Sequence, residues 1–394
     1  MKKGWLMKFS LLSISLVLTS ASVISGNIPA MAKSFPDVPL SSIEMLTTVP
    51  ALMVLIFVLL SSFFAKWLGT KQTVQLGLII SLISGLIPVF STNFTAILLS
   101  RAGLGIGFGL FNSLAVSMIS YFFDGDERAK LIGFQSAFQS LGTAILAFVA
   151  GQLLKIDWHT SFWVYAIILP IIVLFTLFVP AIPKEQVREQ ANGTVESKSG
   201  LNPKVLGYAT FLLVIIIIFS ASNVKLAELV TSNGYGTPTD ASNILSIMSI
   251  AGMVAGFIFG MIYKSLKKYT LPFAILAMAV AYGLFSFSNS ILLTGIGALF
   301  VGFAFSIVVP YLFNQVNAIA PKGTEALSTS LLLVGANLGS SISPYGLKFL
   351  GSISGTSSVN GVYRLGAIIF VIIFVINIVF LILRRTKSIG KLNV

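Results

Sequence analysis

Apolar runs recur along this chain at about the length needed to cross a membrane. A transmembrane helix needs roughly 20 mainly apolar residues, and runs of this length follow one another with short polar breaks between them. Hydrophobic residues make up 56% of the chain and charged residues 9%, outside the range of soluble globular proteins. The pattern predicts an all-α integral membrane protein with twelve transmembrane helices, at 9–32, 43–64, 73–91, 95–118, 131–153, 161–180, 206–230, 241–262, 270–288, 291–316, 328–350 and 362–383.

The first apolar run begins like a secretory signal peptide, with a basic start and small residues near Ala21. The run nevertheless continues to Ala32, and its "TSAS" at 19–22 returns as "FSAS" at 219–222. Because a repeated segment indicates a structural element, we expect this run to be the first span.

The basic residues are distributed unevenly between the two sides of the predicted membrane. With a cytoplasmic N-terminus, all but six of the 25 Lys and Arg residues fall on the cytoplasmic side, as the positive-inside rule requires. The exceptions are Lys33, Arg101, Lys155, Lys225, Lys348 and Arg364. We expect a multi-pass plasma-membrane protein with both termini cytoplasmic. The net charge of +13 does not indicate nucleic-acid binding, because it is not concentrated on a soluble domain.

One long polar stretch, at 182–204, divides the chain into two parts with weak internal similarity. Segments 62–71 and 260–269 resemble each other, as do 127–142 and 325–339, near an offset of 198 residues. Two such halves are typical of transporters that bind substrate between them near the bilayer midplane. The expected domains are a six-helix half at 1–181, a cytoplasmic linker at 182–205, and a six-helix half with a short cytoplasmic tail at 206–394.

The break between spans 2 and 3, "SFFAKWLGTK", resembles the loop G-x-L-a-D-r-x-G-r-k of the major facilitator superfamily. Gly69 and Lys71 match this loop, whereas Ser62 and Lys66 stand where the family has glycine and an acidic residue. The chain is identified over its whole length as a member of that superfamily. The resemblance implies the major facilitator fold, two pseudo-symmetric six-helix halves, and transport by alternating access.

Span 4 contains "RAGLGIG", which resembles the superfamily element R-x-x-x-G-x-G found in proton-coupled members, with Arg101, Gly105 and Gly107 matching. Span 5 keeps Gly142 but lacks the proline that antiporters carry, so the resemblance to the drug-export branch is loose. Gly105, Gly107 and Gly109 are expected to let neighbouring helices approach closely.

Arg101 is a permanent charge inside an apolar span, so it must face protein, water or a counter-charge. One interpretation places it in the central cavity, as a counter-charge for a substrate anion or for proton coupling. The alternative is that it snorkels or braces neighbouring carbonyl groups.

Two acidic residues are predicted near membrane depth on the outer side. Glu228, in span 7 after Asn223 and Lys225, is the better candidate for a carboxyl that gains and loses a proton. Glu44, at the start of span 2, is the alternative. A surface ion pair between Lys225 and Glu228 would also explain their i, i+3 spacing.

Further embedded polar side chains are either cavity residues or partners in interhelical hydrogen bonds. Their small number predicts a mainly apolar cavity. The remaining candidates for the cavity are Asn27, Asn112, Gln135, Gln139, Tyr311, Asn314 and Asn337.

Two lysine–glutamate pairs are candidates for a cytoplasmic gate. The resemblance implies that span 2 packs on span 11 and span 8 on span 5, which puts Lys66 near Glu325 and Lys264 near Glu127. The alternative is that all four are solvated residues that follow the positive-inside rule.

The chain carries no nucleotide-binding loop, nucleophile triad or metal cluster, so we expect neither an enzyme nor a cofactor. The leading hypothesis is a monomeric, proton-coupled secondary transporter that exports a small hydrophobic or amphipathic solute. An alternative is an uptake symporter in which Arg101 or Lys225 binds an organic anion. A non-transporting receptor or scaffold is the third hypothesis, and it would need a larger soluble segment.

Overall fold

The computed structural model describes residues 4–182, 203–321, 325–353 and 358–390, and the regular elements within them are all helical. The α-helices are α1 (Trp5–Ser13), α2 (Ile28–Ser34), α3 (Leu40–Leu68), α4 (Thr70–Phe90), α5 (Phe94–Phe122), α6 (Gly125–Leu153), α7 (Ile168–Phe178), α8 (Pro203–Phe219), α9 (Ala221–Val224), α10 (Leu226–Ser232), α11 (Pro238–Leu266), α12 (Thr270–Ser286), α13 (Ile291–Ile319), α14 (Glu325–Ile353) and α15 (Val359–Gly390). Short 3₁₀ segments lie at Ile14–Leu16, Ser20–Asn27, Thr160–Ile167 and Lys267–Tyr269.

Among the described residues, nine helical stretches are long and apolar enough to cross a membrane. A tenth results if Trp5–Leu16 and Ser20–Ser34, which meet at a 42° bend, form one span. The stretch Pro238–Ser286 counts once although it contains both α11 and α12. Helix α14 is not counted, because Ser, Gly and Asn occupy many of its positions. The structure confirms a helical, multi-span protein but not the number twelve.

Helix packing repeats between the residues before and after the linker, which we call the N-terminal segment (4–182) and the C-terminal segment (203–390). Helix α5 packs on α3 and α4, and α13 packs in the same way on α11 and α12. Between the segments, α3 packs on α14 and α6 on α11. These are the neighbours that the family resemblance implies for spans 2 and 11 and spans 5 and 8.

Several helix ends follow from local sequence. The α3–α4 junction is Gly69 at φ +103°, a conformation that glycine adopts without a steric penalty. The Asn93 side chain caps α5 by accepting a hydrogen bond from the Ala96 amide at 3.1 Å. Thr237 and Asp240 form a capping box at the start of α11.

The glycines of α5 lie where it meets α3 and α4. A methyl group at Gly105 would overlap the backbone of Pro50, and one at Gly107 would overlap the Gly77 carbonyl. At Gly109 a methyl group would lie 2.6 Å from the Phe57 Cβ. Close helix packing at these positions therefore depends on the absence of a side chain.

The helices give the bundle two ends. We call the end where α3, α7 and α11 finish the linker end, because the last described residues before the linker lie there. The opposite end, where α2, α6 and α10 finish, is the far end. The positive-inside rule predicts that the linker end is cytoplasmic.

Candidate functional site

The first apolar run is broken between Leu16 and Ser20, and Arg101 lies behind this break. A break in a helix leaves carbonyl groups without their usual amide donors, which is costly away from water. The Arg101 side chain is fully buried, and its Nη2 donates to the Ala21 carbonyl at 2.7 Å. Its Nε donates to the Leu46 carbonyl on α3 at 2.8 Å.

Tyr165 completes this arrangement. The Arg101 Nη1 donates to the Tyr165 hydroxyl at 2.9 Å, and that hydroxyl donates to the Ser20 carbonyl at 3.0 Å. The guanidinium also lies 5.3 Å from the Tyr165 ring centroid. Arg101 therefore links α5 to α3, to the broken run and to Tyr165, and it does not line the central cavity described below. This geometry matches the alternative in which the arginine braces carbonyl groups.

The C-terminal segment has a one-residue interruption at Ser220, between α8 and α9, and two tyrosines donate hydrogen bonds to carbonyl groups beside it. The Tyr282 hydroxyl donates to the Ile218 carbonyl at 2.5 Å, and the Tyr363 hydroxyl donates to the Ala221 carbonyl at 2.9 Å. Both tyrosines are fully buried.

The sequence analysis missed Tyr165, Tyr282 and Tyr363, although a signal was available. The repeated segments 19–22 and 219–222 mark the two breaks. Tyr165 and Tyr363 are 198 residues apart, the offset already seen in the internal repeat.

A buried ion cluster joins the two segments near the far end. Lys225 lies between α9 and α10, and its Nζ is 2.6 Å from Glu44 Oε1 on α3 and 2.9 Å from Glu228 Oε2 on α10. The exposed side-chain fractions of Lys225, Glu44 and Glu228 are 12%, 2% and 27%. The two acidic residues that the sequence offered as alternatives thus share one lysine, and Glu44 is the more deeply buried.

A cavity of about 340 Å³ lies between the segments, against both helix breaks. Asn112, Asn223 and Asn337 line it, and among the described residues no charged side chain does. Phe219 and Phe305 stack in its wall with ring centroids 3.6 Å apart. Nearly half of the lining residues are polar and uncharged, more than the sequence analysis expected. These are Thr19, Ser22, Thr47, Thr48, Asn112, Ser220, Asn223, Asn337 and Ser340.

A second cavity, of about 740 Å³, lies between α6, α11 and α13 on the linker side. Gln139 lines it, and Phe305 belongs to the walls of both cavities. Phe305 therefore lies between the central cavity and a larger space that extends towards the linker end.

The other predicted cavity residues lie elsewhere. Asn27 is buried and its Nδ2 donates at 3.1 Å to the carbonyl of Trp158, which lies in the turn before the 3₁₀ segment Thr160–Ile167. Gln135 is buried but lines neither cavity. Tyr311 lines a separate cavity within the C-terminal segment, and Asn314 is exposed.

The residues predicted for the cytoplasmic gate lie at the linker end. Lys66 and Lys264 are exposed, and Glu127 forms an ion pair with Lys8 rather than with Lys264. The side chain of Glu325 lies outside the described part of the chain. In the family-like loop, Lys71 Nζ donates to the Thr176 carbonyl on α7 at 2.9 Å.

Comparison with known proteins identifies the family. The model for the Major Facilitator Superfamily matches residues 10–231 and 205–393. The chain belongs to this superfamily. It is a membrane transport protein and not an enzyme, and no cluster of three or more metal-binding side chains occurs in the described part of the chain.

Among curated relatives, the chain is 24% identical over 343 residues to a "Probable sugar efflux transporter" of Helicobacter acinonychis, covering 83% of this chain and 84% of the relative. It is 28% identical over 217 residues to "Multidrug transporter protein MdtP" of Bacillus subtilis, covering 54% of this chain and 39% of the relative. Among solved structures, nucleoside transporter NupG aligns with a TM-score of 0.78 at 15% identity, over 95% of this chain and 98% of that one. The inward-open xylose transporter XylE from E. coli aligns at 0.71 and 14% identity, over 93% and 94% of the two chains. At such identities the solved structures support the fold alone.

Proposed function

We propose that this superfamily member is a proton-coupled exporter that moves a small neutral amphipathic solute by alternating access. The observation that carries this proposal is the uncharged cavity, lined by asparagine, threonine, serine and aromatic side chains, between the two segments. A solute with an apolar face and a few hydroxyl or carbonyl groups can pair with these side chains, whereas a bare ion would meet no opposite charge.

The finer architecture proposed is twelve spans in two pseudo-symmetric halves, 1–181 and 206–394, joined by the linker. Three observations support it. The packing of α3–α5 is repeated by α11–α13, a tyrosine hydroxyl bonds to a backbone carbonyl beside the helix interruption in each segment, and the similar sequence segments are offset by 198 residues. We keep the expectation of a plasma-membrane monomer with both termini cytoplasmic.

In this arrangement the structure corresponds to an inward-facing state. The segments touch at the far end, where the Thr239 hydroxyl donates to the Gly151 carbonyl at 2.8 Å and the Gln152 Nε2 to the Asn243 Oδ1 at 3.2 Å. Towards the linker end, the 740 Å³ cavity separates α6 from α11. Closure at the far end and space at the linker end would admit a cytoplasmic solute.

The ion cluster is the proposed site of proton coupling. Two carboxylates and one ammonium group carry a net charge of −1, and burying a net charge away from water is costly. Binding one proton makes the cluster neutral. Redistribution of Lys225 between Glu44 and Glu228 would then change the Lys225–Glu44 ion pair, which crosses between the segments.

Proton-flux measurements in proteoliposomes test the proposal. Neutral amphipathic solutes, sugars and organic anions are added in turn, and proton movement against each solute is recorded. We expect antiport of protons with a neutral solute. The variant Glu228→Gln should lose the pH dependence of transport but keep solute exchange, because glutamine cannot ionise. Asp37→Asn, which changes an exposed carboxylate at the same end, is the matched control. Symport with an anion would contradict the proposal.

A sugar is the second candidate substrate. The polar fraction of the cavity lining favours it, since sugar hydroxyls require many hydrogen-bond partners. The curated relatives named as sugar efflux transporters point the same way. Solute-specific proton antiport with sugars in the same assay would select this candidate.

A further inference from the structure

A third cavity, distinct from the transport pathway, lies within the C-terminal segment at the linker end. Its volume is about 920 Å³, and α8, α11, α12, α13 and α15 form its walls. No residue of the N-terminal segment lines it among those described, so it does not lie between the two segments. It shares no lining residue with the central cavity.

The rim and the interior of this cavity differ in charge and polarity. Lys204, Lys267 and Lys268 stand where helices begin or end at the linker end, and no carboxylate belongs to the described lining. Deeper along the helices the walls are mainly apolar and aromatic, with Phe211, Ile373 and Phe380. Tyr311, Gln315 and Asn377 add a few uncharged polar groups there. A cationic rim above an apolar interior matches a ligand with an anionic head and a hydrocarbon chain.

The backbone at the rim has an unusual conformation at Lys267. Lys267 has φ +48°, which is unusual for a residue with a side chain, and it forms a 3₁₀ turn between α11 and α12. This turn puts Lys267 and Lys268 side by side on the rim. Lys268 Nζ also lies 5.2 Å from the Tyr269 ring centroid.

We propose that this cavity binds an acidic phospholipid, with the phosphate at the lysine rim and an acyl chain along the apolar wall. Adjacent lysines attract anionic lipid headgroups at a membrane surface. The lipid is preferred to a soluble anion because the apolar interior would remain unfilled by phosphate alone. The site is independent of the transported solute and of proton coupling.

Native mass spectrometry of the detergent-purified chain tests this proposal. Dioleoyl-phosphatidylglycerol, dioleoyl-phosphatidylcholine and glycerol 1-phosphate are the three probes. We expect discrete binding of phosphatidylglycerol only. Equal binding of phosphatidylcholine would overturn the proposal in favour of non-selective lipid contact, and displacement of the lipid by equimolar glycerol phosphate would overturn it in favour of a soluble-anion site.

Two sets of variants locate the site. Lys267→Gln with Lys268→Gln should weaken phosphatidylglycerol binding about 30-fold, because two surface charges are lost. Lys264→Gln is the charge control, because Lys264 is an exposed lysine in the last turn of α11, just before this 3₁₀ turn, and does not line the cavity.

Gly207→Leu tests the apolar wall separately. Gly207 lines the cavity, and a Cβ atom there would meet nothing within 4 Å. Leucine should therefore fill the space proposed for the acyl chain without disturbing the fold. Gly283→Leu also meets nothing within 4 Å but lies outside this lining, which makes it the steric control. Unchanged lipid binding in both the lysine double variant and Gly207→Leu would refute the site.

Discussion

Individual side chains stabilise the charged groups and the irregular backbone that lie inside this apolar bundle. Arg101 donates three hydrogen bonds from a fully buried position, to Leu46, Ala21 and Tyr165. The planar guanidinium group holds its N–H donors in a fixed geometry that an ammonium group cannot reproduce. At the level of one residue, the arginine is therefore a structural brace whose loss would also disturb transport.

Arg101→Lys should lower the thermal unfolding midpoint in detergent. The single nitrogen of lysine cannot reach all three acceptors that Nε, Nη1 and Nη2 of Arg101 reach, and hydrogen bonds to charged groups contribute about 1.5–3 kcal/mol each. Arg364→Lys changes an exposed arginine and should leave the midpoint nearly unchanged. An Arg101→Lys protein of native stability that no longer couples protons would instead favour a direct role in coupling.

Lys225 serves two carboxylates, so its removal should cost more than the removal of either partner. Lys225→Met leaves the buried Glu44 without its cation and next to the partly exposed Glu228, and an unpaired buried charge costs about 3–5 kcal/mol. Adding Glu44→Gln should recover part of the lost thermal stability. Lys155→Met, which changes an exposed lysine at the same end, is the control. Simple addition of the two single effects would show that Lys225 and Glu44 do not interact.

At the scale of whole helices, close packing of α6 against the broken first run depends on Gly142. A methyl group there would overlap the Leu16 backbone. Gly142→Ala should therefore destabilise the protein by about 1–3 kcal/mol through overpacking. Gly283→Ala, on α12 with nothing within 4 Å, should stabilise it by up to about 1 kcal/mol, because alanine has the higher helix propensity. Thermal unfolding of the two variants should shift in opposite directions, and a common direction would contradict this account.

At the scale of the whole molecule, we propose that lysine–glutamate pairs between the segments hold the linker end closed. In the present structure Glu127 contacts Lys8, so closure would require it to exchange this partner for Lys264. The equivalent pair is Lys66 with Glu325. Each exposed pair would contribute about 0.2–1 kcal/mol.

Charge reversal at Lys66 should shift the population towards the state that is open at the linker end. Lys66→Glu with Glu325→Lys should restore the balance, whereas Lys66→Glu with Glu127→Lys, a mismatched pair, should not. Distances between spin labels on the two segments would report the populations, and labelling cysteines can be introduced directly because the chain has none. Additive effects of the matched reversals would refute the pairing.

The sequence by itself determined the class of this protein, since recurring apolar runs of membrane length have few alternatives to a helical bundle. It also determined the family, through Arg101 with its following glycines and through the loop at Gly69. Residue type and spacing were sufficient for both, because each depends on local chain properties.

Only the tertiary structure decided which polar side chains line the cavity and which bond to other parts of the protein. It brought Glu44 within 2.6 Å of Lys225, which lies 181 positions further along the chain, and it turned Arg101 towards the Ala21 carbonyl beside a helix break rather than towards the cavity. Asn112, Asn223 and Asn337 line one cavity, whereas Asn27 bonds to the Trp158 carbonyl. Helical periodicity specifies which residues share a face, but which helix that face meets is set by long-range packing between the two segments.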